Sequence, residues 1–299
     1  MSVFAPGYYG RFACIMDKCE HSCCYGWRLS LDDRTRDKYK SCTLAYGERL
    51  REFLGEDDEG GFIVTGSDMR CPHLDERGLC RVIIELGEEH LCDICREHPR
   101  FYNLTGDRIE VGIGASCPEA ARIICSSRDY LPIMIEGHPV PELEVIEESV
   151  STLELRSSIY KDMEKTSFDE LEESLIKRLG ISRAVLSSRM MEEILSGLEY
   201  IDEGDRKLML RAVQEKKKLG DAELKRIFAY FIYRHLTDCT SEADCAARVG
   251  FALFSTRVVE KMSELTDSLD DALRMYSAEV EYSTENTDDA IMTIWAENI

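Results

Sequence analysis

The sequence predicts a mainly α protein with a small α+β part, in which an irregular cysteine-rich, metal-binding N-terminal region packs on a C-terminal helical bundle. Three observations carry this reading. Eleven of the 13 cysteines fall in the first 125 residues. Beyond residue 140, apolar side chains recur at helical period, with Gly180, Gly197, Gly204 and Gly220 at the breaks. Between these parts, 131–141 holds three of the seven prolines and reads as a connection. The expected domains are therefore 1–130, metal-binding, and 131–299, helical.

The bulk properties narrow the function. A chain of 299 residues buries a core without disulfide staples. Its N-terminus shows no basic segment before an apolar one, and no apolar run approaches the ~20 residues of a membrane span. A cytoplasmic, reducing location without a membrane partner is expected, where clustered thiols hold metal or do redox chemistry. The net charge of -21 opposes a nucleic-acid partner, which needs a basic face. Residues 1–125 carry 22 acidic and 16 basic side chains; residues 126–299 carry 36 and 21. The more acidic second half could steer a lysine-rich protein toward it, or simply solvate exposed helix faces.

Taken in order, Cys14-x4-Cys19-x3-Cys23-Cys24 forms a dense thiol loop under the apolar cover of Tyr8, Tyr9 and Phe12. Gly26 permits a sharp exit from it. Residues 31–54 read as one charged helix capped by Ser30 or Asp32, with Cys42 an ordinary position inside it. An acidic loop and a strand at 62–65 follow. Residues 88–98 read as a helix that places Cys92 and Cys95 on one face, ended by Pro99. Residues 101–104 and 108–113, joined by Thr105-Gly-Asp107, read as a β-hairpin. Ser116-x-x-Glu119 has the form of a capping box, which puts Cys117 at a helix N-terminus. The remaining helices are expected near 142–164, 167–179, 182–197, 205–218, 221–238, 242–265 and 268–281, with 221–238 central.

The chemistry lies in the thiols. Nine cysteines are candidate metal ligands: Cys14, Cys19, Cys23, Cys24, Cys71, Cys80, Cys92, Cys95 and Cys117. Four thiolates suit a structural zinc or an iron–sulfur cluster, and only Cys92-x2-Cys95 has the short spacing of a zinc knuckle. Nine exceed what one four-coordinate centre uses. Either two centres exist or some thiols support the ligands. His73, His90 and His98 lie inside the cysteine segments and could add nitrogen donors. Cys125, Cys239 and Cys245 read as small buried apolar residues.

The ordered motifs Phe12-x-Cys14-x4-Cys19-x3-Cys23-Cys24-x-Gly26-Trp27, Cys71-Pro-x-Leu-x4-Gly78-Leu-Cys80, Leu91-Cys-x2-Cys95-x3-Pro99-Arg100 and Ser116-Cys117-Pro118-Glu119-Ala120 resemble the flagellin lysine-N-methylase family. Tyr282-Ser-Thr-Glu-Asn-Thr-Asp288 resembles that family's C-terminal motif. The same cysteine order, in shorter form, resembles a broader family of zinc- or iron-chelating proteins. The first resemblance implies a bacterial cytoplasmic enzyme that moves a methyl group from S-adenosylmethionine to flagellin lysines and holds a [4Fe-4S] cluster. No Gly-rich loop of the usual α/β S-adenosylmethionine site is present. Under this reading Trp27 could stack on the cofactor, and Arg96 and Arg100 could bind its carboxylate. Tyr282 and Glu285 become the catalytic candidates, as acceptors of the lysine proton. The competing expectation is a non-catalytic protein that chelates zinc or iron.

Overall fold

The structure, a computed structural model, describes residues 1–26, 28–67, 69–141, 143, 152–216, 219–237 and 239–298. Along the chain run β1 (Ser2–Pro6), β2 (Leu29–Leu31), α1 (Asp33–Ser41), α2 (Gly47–Glu52), β3 (Leu54–Asp57), β4 (Gly60–Ile63), α3 (Arg81–Leu86) and α4 (Asp93–Glu97). There follow β5 (Arg100–Thr105), β6 (Arg108–Ile113), α5 (Pro118–Ser126), β7 (Pro132–Ile135), α6 (Leu153–Lys165), α7 (Phe168–Leu179) and α8 (Ser188–Gly197). The last helices are α9 (Glu203–Ala212), α10 (Asp221–His235), α11 (Glu242–Met262), α12 (Leu269–Tyr276) and α13 (Thr284–Glu297). A π-helical turn, Ser277–Glu281, separates the final two. The chain is mainly α with small sheets, as its composition of periods foretold.

Compactness divides the chain at Phe12/Ala13 and Pro99/Arg100, not near residue 130. One unit is Met1–Phe12 with Arg100–Ile299; the other is Ala13–Pro99. The reason is strand pairing. In the larger unit a sheet of order β5-β6-β1-β7 sets the first strand parallel to β6, Val3 facing Ile109, and antiparallel to β7. The stretch read as a connection thus contributes an edge strand. The hairpin of β5 and β6 forms with Gly106 in its turn at φ 60°.

Helices cover one face of that sheet. From α10, Tyr233 donates its hydroxyl to the Phe4 and Val111 carbonyls at 3.0 and 3.1 Å. Asn103 of β5 donates to the Arg234 carbonyl at 3.0 Å. From α6, buried Arg156 pairs with buried Glu110 of β6 at 2.6 Å. The most buried helix is α11, apolar on nearly every side, which packs against α10 and α13. It shares the centre of the bundle with α10. Its N-terminus is set by Ser241, whose hydroxyl accepts from the Asp244 amide. A capping box at Ser167 starts α7, and Gly180 ends it in the left-handed region at φ 69°.

Several local expectations need correction. The long helix over 31–54 is two helices, because the chain turns back at 42–46. A Cβ at Gly47 would lie 2.3 Å from the Cys42 carbonyl oxygen, so the return needs glycine there. Cys42 is therefore the C-cap of α1 and not an interior helix position. Of the helix over 88–98 only Asp93–Glu97 is α; Glu88–His90 is a 3₁₀ turn. Before α5 there is no capping box: Cys117 is the N-cap, and Ser116 Oγ is buried without a hydrogen-bond partner. Pro118 occupies the first turn, where its missing N–H costs nothing. The start of the helix expected at 142–164 lies largely outside the described residues.

Candidate metal centre

The smaller unit gathers five of the nine candidate ligands. Its core is built on β2, α1, α2 and β4, and it contains Cys71 and Cys92, which are 8% and 2% exposed. Cys24, Cys80 and Cys95 pack against that core. The thiols are close enough to feel one another's charge. Cys71 senses Cys24, Cys80 and Cys92, while Cys95 senses Cys92, Cys24 and Cys71.

Backbone bonds explain how distant cysteines meet. The Cys71 amide donates to the Cys24 carbonyl at 2.9 Å, beside a bridge between Tyr25 and Arg70. Gly26 leaves this pairing at φ 85°, a conformation that side chains resist. Between Cys71 and Cys80 the chain closes on itself. The Asp75 carboxylate accepts from the Arg77 and Leu79 amides at 2.8 and 2.9 Å, and Leu74 bridges to Cys80. Asp32 then fixes the third cysteine segment. Its two carboxylate oxygens accept from Thr35 at the start of α1 and from Asp93 at the start of α4, at 2.8 and 3.0 Å. One side chain so caps two helices and holds Cys92 and Cys95 against α1. Tyr39 adds a bond to the His90 carbonyl at 2.8 Å.

The thiols differ in their electrostatics. Burial pushes Cys71 up to about 12, and it also raises Cys80 against the backbone amides of Ile83 and Val82. A hydrogen bond from Cys23 draws Cys24 down to about 7, helped by Ser22 and the charge of Arg70 and opposed by burial. Cys95 donates to Cys92, so Cys92 falls and Cys95 rises. His73, two residues beyond Cys71, is buried with its Nδ1 3.2 Å from the Tyr46 hydroxyl, and its Nε2 has no hydrogen-bond partner. Burial, then Arg49 and Arg81, lower it to about 4, so its imidazole is neutral. Burial likewise brings His98 to about 4. Among the described residues, no three Cys, His, Asp or Glu side chains close on one point as a single ion requires. Tetrahedral zinc, about 2.3 Å from each sulfur, would need thiols about 3.8 Å apart.

Of the other sequence candidates, Cys23 touches the group through its hydrogen bond to Cys24. Cys14 and Cys23 are exposed, and Cys19 donates to the His21 carbonyl at 3.4 Å. Cys117 belongs to the larger unit, at the head of α5. Trp27 lies outside the described residues. Arg96 is ion-paired on its own helix with Asp93 and Glu97. Arg100 opens β5, donates to the Tyr9 hydroxyl at 3.0 Å and lies over the Phe12 ring. Glu285 is exposed on the first turn of α13, and Tyr282 is half-buried with Arg234 5.6 Å from its ring centre.

Next to Tyr282 the larger unit holds a polar cluster that sequence reasoning missed. The π-turn directs Glu281 inward, where it meets His235 Nε2 at 2.6 Å and accepts from Tyr230 at 3.0 Å. Arg234 donates to Tyr230 at 2.8 Å and to the Glu281 carbonyl at 3.3 Å, and its other face covers Phe101. Burial alone would raise Glu281, but the charge of Arg234 and the bond to His235 outweigh it and hold the carboxylate at about 2. Burial keeps His235 neutral in spite of Glu281. The only trace in the sequence is that Glu281 directly precedes the Tyr282 motif.

Comparison with known proteins finds a partial likeness. A lysine-N-methylase of Salmonella typhimurium is 27% identical over 139 residues, which cover 44% of this chain and 35% of that protein. The flagellar biosynthetic protein FliU of Salmonella muenchen is also 27% identical over 139 residues, covering 82% of its length. A lysine-N-methylase of Salmonella choleraesuis matches over the same 44% of the chain. The chain thus matches about a third of the length of the two lysine-N-methylases. No family model and no solved structure matches it.

Proposed function

We propose that the chain is a protein-lysine N-methyltransferase that takes its methyl group from S-adenosylmethionine, acts on flagellin and holds a [4Fe-4S] cluster. The observation that carries this reading is the thiol ring of Cys24, Cys71, Cys80, Cys92 and Cys95, in a chain similar to proteins named lysine-N-methylase and FliU. An all-thiolate donor set suits a [4Fe-4S] cluster, which is held by four cysteines. Each cysteine of a cubane binds a different iron, so its sulfurs stand farther apart than around one ion. Thiolates gathered in an apolar core also need cationic charge, and Arg70 alone reaches Cys24. Four of the five are the proposed ligands, and a cluster bound there supplies Lewis-acidic, redox-active iron.

Methyl transfer forms an N–C bond as the sulfonium S–C bond breaks, and the demethylated cofactor leaves. The attacking lysine must first be neutral, so a group must take its proton. Tyr282, half-buried over Arg234, and Glu285 at the exposed head of α13 are the proposed acceptors. Arg96 and Arg100 are the proposed carboxylate binders for the cofactor, and each must exchange its present partner to serve. The excess of acidic side chains in 126–299 favours approach of a lysine-bearing protein.

The test is anaerobic reconstitution with iron and sulfide, then incubation with flagellin and methyl-labelled S-adenosylmethionine. Brown protein and label on lysine are expected. Colourless protein with stoichiometric zinc and no labelled lysine would overturn the proposal in favour of a metal-chelating protein.

A further inference from the structure

The smaller unit also carries an open cleft of about 500 Å³ against the thiol-bearing core, lined by Ala45, Tyr46, Glu48, Arg49, Glu52 and Arg81. Tyr46 belongs to that core with Cys71 and Cys92, and Arg81 directly follows Cys80. The Arg81 amide donates to the His73 carbonyl at 2.8 Å, which fixes the head of α3 to the loop between Cys71 and Cys80. Aromatic rings brace both guanidiniums. Arg81 lies 4.9 Å from the centre of the Tyr46 ring, and Arg49 lies 4.3 Å from that of Phe53. Both rings meet the buried His73 imidazole edge-on, at 5.8 and 5.9 Å between centres, so one imidazole joins the two braced cations. Their counter-charges are exposed carboxylates: Glu52 lies 2.6 Å from Arg49, and Glu85 2.9 Å from Arg81. Such exposed pairs are weak, and an incoming carboxylate replaces them at little cost. Glu48 and Glu52, four residues apart on α2, place two carboxylates on the same wall.

We propose that this cleft binds the zwitterionic end of an α-amino acid derivative: Arg49 and Arg81 take its carboxylate, and Glu48 and Glu52 its ammonium. Under the methyltransferase reading, on which this identification rests, the derivative is S-adenosylmethionine. Opposite charges line one wall of the cleft, as the head of an amino acid requires. Guanidiniums already braced on rings lose little freedom on binding. The volume falls within the range of small-molecule sites, about 300–1,000 Å³. The side chains of Arg49 and Arg81 are each 44% exposed, so a ligand from solution reaches them without any opening of the core. The cleft competes with Arg96 and Arg100 for the cofactor's carboxylate, and binding measurements separate the two seats.

Calorimetric titration of the reconstituted full chain with two probes is the test. S-Adenosylhomocysteine keeps the amino-acid end without a transferable methyl, and 5′-methylthioadenosine keeps the nucleoside and lacks that end. Wild type should bind the first more tightly. Arg49→Gln and Arg81→Gln should each weaken it about tenfold or more and leave the second unchanged. Glu48→Gln should weaken the first probe in the same selective way, which keeps the test open where an arginine variant does not fold. Arg96→Gln and Arg100→Gln should bind both probes as wild type does. Equal affinity of wild type for the two probes overturns the proposal. So does a loss confined to Arg96→Gln or Arg100→Gln, and in both cases the methyltransferase reading stands. Wild type that binds neither probe and labels no lysine overturns that reading, and the assignment of the cleft with it.

Discussion

Replacing Glu281 with glutamine keeps the shape of the buried cluster and removes its negative charge. Glu281 is held at about 2 against an ordinary 4.5, a shift that corresponds to about 3 kcal/mol of stabilisation at neutral pH. The general cost of unpairing a buried ion pair, about 3–5 kcal/mol, agrees, since Arg234 would keep its charge without a partner. For a unit of this size each kcal/mol moves the melting temperature by about 2–4 °C, so Glu281→Gln should lower it by roughly 6–12 °C. The sign with pH follows from the depressed value. The carboxylate's contribution is complete above about pH 4.5 and is lost as the pH falls toward about 2. The gap between wild type and variant should therefore shrink steadily over that window. Differential scanning calorimetry of both proteins at neutral pH and near pH 3 measures it. A drop of under about 3 °C at neutral pH, or a gap unchanged in acid, would refute the assignment of an ionised Glu281 balancing Arg234.

Serine substitution at four of the five positions Cys24, Cys71, Cys80, Cys92 and Cys95 should lower iron and sulfide per chain, whereas substitution at Cys14, Cys19 or Cys42 should leave them unchanged; metal analysis of reconstituted proteins decides. Asn286→Ala should cost about 2–3 kcal/mol in denaturant unfolding. Its amide accepts from the Glu199 amide and donates to the Glu199 and Glu279 carbonyls, and truncation strands these groups in the interior. Glu285→Gln should change stability by less than about 0.5 kcal/mol, because the side chain is exposed, so any loss of lysine labelling it causes is chemical. Tyr282→Phe should reduce labelling with the melting temperature nearly retained; unchanged labelling in both variants would remove them from the proton-accepting role.

The helices after residue 152 were legible because each is amphipathic or apolar over several turns and is punctuated by a cap. Ser167 and Gly180 bound α7 almost where the period alone puts it. The hairpin of β5 and β6 was legible because its turn residues lie between its strands. What escaped depends on contacts between distant segments. Nothing local in Ser2–Pro6 says that it pairs with Arg108–Ile113, and the break between α1 and α2 exists because Gly47 meets the Cys42 carbonyl. The cysteine content announced a thiol-rich site, but spacing could not choose among nine ligands. What brings cysteines of distant segments onto one core is the Cys24–Cys71 backbone pairing and Asp32 capping two helices, neither of which has a pattern in the sequence.

The first strand has a consequence for the order of events on the ribosome. Ser2–Pro6 is made before its partners, Arg108–Ile113 and Pro132–Ile135, which follow more than 100 residues later. At synthesis rates of about 5–20 residues per second it waits on the order of ten seconds. The whole of Ala13–Pro99 is made within that interval. The thiol-bearing segment can therefore fold as a nascent chain before the strand that precedes it is committed, so its thiols can be gathered while the rest of the molecule is still being translated.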